Sequence, residues 1–235
     1  MSGSSLSDTM MLNYHLMHPG GDSSPGDPNL AYCLDGIYHL HYILRHKLEA
    51  ENSSYARNGE SFSFVHVTSP DMLHWTWKKT KLQPDFTGHG MFSGTGFITN
   101  EGKPAAIYCG VSEPRNTFLI IARDRQLEVW NKPYPLITKN SLTDAEIRLL
   151  GDPDIFAVAG VYYAYSASDG VQLCKSTDLK NWYYVGSLMP SNFPGVTTGE
   201  DLSCANMFPI EDKWMILCIS HTMGCRYYIG EWDTD

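Results

Sequence analysis

The chain has 235 residues, 43% hydrophobic and 18% charged, enough to bury a core and make one globular domain the default. A formal net charge of -9, with 17 Lys and Arg scattered along the sequence, argues against a nucleic-acid partner, because phosphate binding needs clustered cations. No apolar run is long enough to span a bilayer, and Met1 to Asp8 lacks a basic segment followed by an apolar core, so no membrane partner and a cytoplasmic location are expected.

In chain order, residues 11–15 read as a short strand and 18–26 as a loop rich in Gly, Pro and Ser. Gly26-Asp27-Pro28-Asn29 then sets a carboxylate on a Gly-Asp-Pro corner, at the entrance of an aromatic, strand-forming run. Strands are predicted at 29–33, 37–44, 62–69 and 75–82, with a turn at Leu34-Asp35-Gly36. The polar stretch 47–60 is expected to be an exposed insertion with a short helical piece.

The same grammar recurs. Strands are predicted at 93–99, 105–110, 117–123 and from Trp130, then at 154–158, 161–166, 171–176 and 182–186, then at 206–210, 213–220 and 226–232. Gly151-Asp152-Pro153-Asp154 echoes the first acidic corner, and Thr198-Gly199-Glu200-Asp201 supplies a third. Ser69-Pro70-Asp71-Met72-Leu73-His74-Trp75 and Ser176-Thr177-Asp178-Leu179-Lys180-Asn181-Trp182 share an Asp for a turn and a Trp for packing between sheets. Repeats of roughly 45 to 60 residues, each a four-stranded antiparallel unit, predict an all-β chain of the β-propeller type. Its units fall at about 27–82, 93–137, 152–188 and 200–235, and the last is short of a strand, so the final blade is incomplete or missing.

The six cysteines, Cys33, Cys109, Cys174, Cys204, Cys218 and Cys225, form no CxxC pair, and four sit in apolar runs. Buried free thiols are expected, and neither the cysteines nor the dispersed histidines suggest a metal site.

Four motif regions resemble the N-terminal five-bladed propeller of glycoside hydrolase family 32, and more distantly family 43. Asp27-Pro28-Asn29 is similar to the family's Asn-Asp-Pro-Asn-Gly box without its flanks, and Gly36-Ile37-Tyr38-His39-Leu40-His41-Tyr42 to its Gly-x-Tyr-His-Leu-Phe-Tyr strand. Asp71-Met72-Leu73-His74-Trp75 resembles Asp-Leu-x-His-Trp, and Phe92-Ser93-Gly94-Thr95 resembles a Phe-Ser-Gly-Ser box that touches sugar. Gly151-Asp152-Pro153 keeps the Asp of an Arg-Asp-Pro box. Before Cys204, where the family has Glu, this chain has Ser203, and Glu200 lies three residues earlier.

The resemblance implies hydrolysis of a β-fructofuranosyl or related furanosyl linkage with retention, without a cofactor and on a carbohydrate substrate. It makes Asp27 the nucleophile, Asp152 the stabiliser that binds sugar hydroxyls, and Glu200 the acid/base. Asn29, His41, Phe92 and Ser93, which lie in these boxes, are candidate substrate contacts. His89, beside Phe92, and Arg226 and His221, around the fourth unit's last strand, are candidates for the pocket wall. Two alternatives stay open: an inverting enzyme of the family 43 kind, with Asp27 as general base towards water, and a carbohydrate-binding propeller without activity, which Ser203 favours. The sequence leaves the oligomeric state open.

Overall fold

The computed structural model describes residues 16–18, 23–47, 60–111, 115–139, 146–147, 149, 151–166, 171–189 and 201–233. The strand expected at 11–15, nearly all of the insertion with its helical piece, and Glu200 lie outside the described residues.

Four sheets follow one another along the chain. The first holds β1 (Ser24–Leu34), β2 (Ile37–Lys47), β3 (Glu60–Ser69) and β4 (Thr76–Lys78), in chain order and antiparallel. A single helical turn, α1 (Pro84–Thr87), leads to the second sheet: β5 (Gly90–Ile98), β6 (Pro104–Val111), β7 (Asn116–Ile121) and β8 (Tyr134–Pro135). The third combines β11 (Pro153–Val158), β12 (Val161–Ser166), β13 (Gln172–Ser176) and β14 (Trp182–Ser187) with the two-residue strands β9 (Thr138–Lys139) and β10 (Glu146–Ile147). The fourth has three strands, β15 (Ser203–Ile210), β16 (Lys213–Ser220) and β17 (Gly224–Gly230). This is the expected all-β propeller arrangement with a three-stranded last sheet. The third sheet departs from the four-stranded expectation, because β9 adds to β14 in parallel.

Two-residue turns set the hairpin registers. Asp35-Gly36 and Ala159-Gly160 both take positive φ at both positions, the twist that joins antiparallel strands tightly. The Asp and Trp pattern is also a local device. Asp71 Oδ1 accepts from the Leu73 and His74 amides, and Trp75 Nε1 donates to the Met72 carbonyl. Asp178 Oδ1 accepts from the Lys180 and Asn181 amides, and Trp182 Nε1 donates to Leu179. A third copy went unread in the sequence. In the second sheet Asp124 caps the Glu128 amide, Trp130 Nε1 donates to Leu127, and Leu127 shares the positive φ of Met72 and Leu179. Trp182 is buried between sheets as expected, and Trp130 is buried likewise, whereas Trp75 is half-buried, since its sheet has no described neighbour on that side.

Each junction between sheets has its own apolar core. Leu30, Phe64, Met91, Tyr108 and Trp130 join the first sheet to the second, Ile107, Leu119, Tyr162 and Trp182 the second to the third, and Phe156, Tyr165, Met207 and Cys218 the third to the fourth. All six cysteines are free; Cys109, Cys174 and Cys218 are buried as expected, but Cys33, Cys204 and Cys225 are exposed at strand ends or on outer faces.

Three imidazoles are stacked within the first sheet. His41 and His66, opposite each other on β2 and β3, stack at 4.3 Å between ring centroids, and His39 Nδ1 lies 3.0 Å from His66 Nε2. Burial, and then the neighbouring imidazoles, hold His41 well below the ordinary histidine value, and burial brings His66 down to about 4. Because the folded state refuses protons that the unfolded chain accepts, stability is unaffected above pH ~6.5 and falls as pH drops from there towards 4. Urea denaturation at pH 7 and pH 5 should show a loss of about 1–2 kcal/mol per buried imidazole, and the loss should be smaller in His66→Leu. An equal loss in the variant would contradict this account.

Candidate active site

The first strands of the four sheets, β1, β5, β11 and β15, lie against one another. At one end they open into a cleft of about 220 Å³, lined by Asp27, Pro28 and Asn29 of β1 and by Ser93, Gly94 and Thr95 of β5. Asp152 and Pro153 at the start of β11, Cys204, Ala205 and Asn206 of β15, and Ile219 of β16 complete the wall.

Asp27 sits inside β1 and not on a loop corner, because the strand begins three residues earlier, at Ser24. Pro25 and Pro28 cannot donate to the ladder, and the register with β2 slips between Pro25 and Pro28 and again between Pro28 and Leu30. The resulting bulge leaves Asp27 unpaired and exposed to the cleft. Asp152 is placed differently. Gly151 takes φ 87° and Asp152 takes φ 35°, a conformation that costs a non-glycine residue about 1–3 kcal/mol. The turn is held by the Ser166 hydroxyl, which donates to the Gly151 carbonyl at 2.7 Å, and by the Cys204 amide, which donates to Asp152 Oδ2 at 3.0 Å.

Electrostatics tie the two carboxylates to one place. The Cys204 thiol is pushed up to about 11, first by burial and then by the negative charges of Asp152 and Asp27. Both acids therefore stand close to the same sulfur, which stays protonated and is no nucleophile. Asn29 belongs to the same wall: its Oδ1 accepts from the Gly94 amide at 3.3 Å, while its buried Nδ2 has no partner among the described residues. That approach requires glycine at 94, since a Cβ there would lie 2.2 Å from the Ile107 carbonyl oxygen.

Beneath the cleft lies a carboxylate that sequence reasoning took only as the start of a strand. Asp154 is 5% exposed and accepts from Thr95 Oγ1 at 2.8 Å, Tyr165 OH at 3.0 Å and the Met207 amide at 2.8 Å. Burial raises its carboxyl above the usual range, and the three donors oppose that rise. Asp152 sits in the left-handed turn before β11, whereas Asp154 lies within the strand, whose first four residues are all buried.

Of the predicted site residues, the structure brings together Asp27, Asn29, Ser93 and Asp152. His41, fully buried, belongs to the imidazole stack and not to the cleft, because alternation along β2 turns it towards Trp130 in the inter-sheet core. His89 is buried against Phe118, with ring centroids 3.9 Å apart, and its Nε2 meets Tyr108 OH at 2.9 Å. Phe92 packs edge-on against Phe62, since Ser93, its neighbour on the alternating strand, takes the cleft side. Arg226 lies against Met223 and over the Tyr228 ring. Near the start of β15, Asp201 accepts from Ser203 Oγ at 2.9 Å and pairs with His221 Nδ1 at 2.5 Å. Among the described residues no group of three His, Cys, Asp or Glu side chains is placed to hold a metal ion, and no helix is long and apolar enough to cross a membrane.

Residues 23–235, which include every residue of the cleft wall, match the profile described as glycosyl hydrolases family 32 N-terminal domain. The chain belongs to glycoside hydrolase family 32. A sucrose-6-phosphate hydrolase of Klebsiella pneumoniae is 26% identical over 226 residues, covering 91% of this chain and 46% of that protein. An insoluble β-fructofuranosidase isoenzyme of Arabidopsis thaliana is 26% identical over 201 residues, covering 78% and 32%. This chain thus spans less than half the length of these relatives. Among solved structures, a fructan 1-exohydrolase of Cichorium intybus superposes with a TM-score of 0.68 at 18% identity, over 95% of this chain and 44% of that one. A family 43 β-xylosidase/α-arabinofuranosidase from a compost metagenome gives 0.65 at 9% identity, over 90% and 71%.

Replacing Asp154 by Ala strands three donors beneath this cleft, and the expected loss is about 3 kcal/mol in urea denaturation. Asp154→Asn, which keeps an acceptor for Thr95, should lose less; an unchanged midpoint for Asp154→Ala would show that the brace is not formed.

Proposed function

We propose that this chain carries the catalytic cleft of a retaining β-fructofuranosidase. The observation that supports it most is the wall shared by Asp27 and Asp152, whose charges both reach Cys204. One carboxylate at a glycosidic bond attacks carbon while a second group protonates the leaving oxygen, and further hydrogen bonds tighten on the sugar in the oxocarbenium-like transition state. In this reading Asp27, exposed on its bulge, attacks the anomeric carbon. Asp152, anchored by the Cys204 amide, accepts from sugar hydroxyls, and Asn29 Nδ2 donates to another. The proton comes from a separate group, for which the family resemblance suggests Glu200 and the structure offers a further candidate near the start of β15.

The substrate that suits this wall is a neutral fructoside. Among the described residues two carboxylates and no Lys or Arg line the cleft, which disfavours a phosphorylated sugar. The relatives named above as sucrose-6-phosphate hydrolase and β-fructofuranosidase support the fructosyl group; the lining supports the unphosphorylated member of that pair. No cofactor takes part.

Asp27→Asn should lower kcat on sucrose or levan by about 10³-fold or more while leaving the circular dichroism unchanged. Proton NMR of the first product from the native protein should show the β-anomer. Undiminished turnover in the variant would remove Asp27 from the chemistry, and an initially inverted product would assign it to activating water.

A further inference from the structure

The position before Cys204 is a serine, yet its hydroxyl is not idle. Ser203 Oγ donates to Asp201 Oδ2 at 2.9 Å; the same carboxylate takes the His221 amide at 3.0 Å and His221 Nδ1 at 2.5 Å. Ser203 opens β15 opposite Ile219 of β16, and Ile219 is part of the cleft wall. Two residues after Ile219 the chain has left β16, and there stands His221, its side chain largely exposed.

We propose that His221, oriented by Asp201, is the proton donor to the leaving oxygen of the glycosidic bond. This inference rests on the glycoside-hydrolase reading of the preceding subsection and adds to it the identity of the acid.

The charge balance of the pair favours histidine over aspartate. Asp201 is held down at about 2, mostly by His221 and next by Ser203, so it stays ionised and has no proton to give. His221 is raised above the ordinary histidine value, first by Asp201 and with a further contribution from the charge of Asp152, which places the imidazole within electrostatic reach of the cleft. Among the described residues Asp201, two residues before β15, and Asp152, in the turn before β11, are the charges that act on it; Arg226, on β17, lies over Tyr228. With Nδ1 committed to Asp201, Nε2 is the nitrogen left to exchange a proton, and the carboxylate stabilises the imidazolium.

The step balances without another reagent. The Nε2 proton passes to the glycosidic oxygen as the carbon–oxygen bond breaks and its electron pair stays on that oxygen, while an Asp27 oxygen bonds to the anomeric carbon. The neutral imidazole then takes a proton from the water that displaces Asp27, which restores the imidazolium and frees the sugar.

The test compares sucrose, a poor leaving group, with a nitrophenyl β-fructofuranoside, whose leaving group needs little protonation. His221→Gln should lower kcat/KM on sucrose by about 10²–10⁴-fold and on the aryl fructoside by less than about 10-fold, with loss of the basic limb of the pH profile. Asp201→Asn, which keeps a hydrogen-bonding group but removes the charge, should move that limb to lower pH, and it tests the pair even if the His221 variant folds poorly. The inference is overturned, with the hydrolase reading intact, if His221→Gln cleaves both substrates as the native protein does or loses both equally, or if Glu200→Gln alone shows the leaving-group dependence. A native protein that cleaves neither substrate, under conditions where it is folded, overturns the hydrolase reading and this inference with it.

Discussion

The buried carboxylate of Asp154 is the point at which the sheets depend on one another. It belongs to β11, accepts a hydroxyl from Tyr165 on β12, reaches Thr95 on β5, and receives the backbone amide of Met207 on β15. Three consecutive sheets are therefore fastened by one side chain, at the depth where the first strands meet. Apolar packing between sheets is stronger in sum but has no direction, so it tolerates sliding of one sheet over another. A carboxylate with three donors at 2.8 to 3.0 Å does not. Thr95 and Pro153, which line the cleft, are held in register by it.

Above that brace, each acid is presented by a different backbone irregularity. Two prolines force β1 out of register and expose Asp27, whereas a left-handed turn at Gly151 and Asp152 swings the second carboxylate against the Cys204 amide. Cys204 itself takes φ 49°, so strained residues meet across the cleft. Strain of this kind persists only where surrounding structure over-determines it, and here the Ser166 hydroxyl and the Asp154 network supply that support.

Much of this architecture was legible in the sequence because it is written in local signals. Gly at the second turn position, alternating aromatic runs and the spacing from Asp to Trp each depend on a few adjacent residues, and the structure places hairpins and capped turns where they were read. The copy at Asp124 to Trp130 escapes the pattern because its Asp and Trp are six residues apart where its counterparts have four, and Ala122 stands where the others have Ser. Strands β9 and β10 are two residues each, too short for alternation to register, and their pairing is set by distant sheet edges. Faces posed the harder problem. Period-two alternation put His39 and His41 on one side of β2, but only packing shows that this side is the imidazole stack and the core. The same ambiguity hid Asp154, whose partners come from residues 95, 165 and 207.

The central claim is that Asp27 forms a bond to the sugar in a cleft it shares with Asp152. It is tested most directly by incubating the protein with a fructoside whose second step is slow, quenching in acid, and mapping the peptides by mass spectrometry. The account predicts one fructosyl unit on the peptide that contains Asp27. A label on another carboxylate, or steady turnover with no labelled peptide at any quench time, would contradict it.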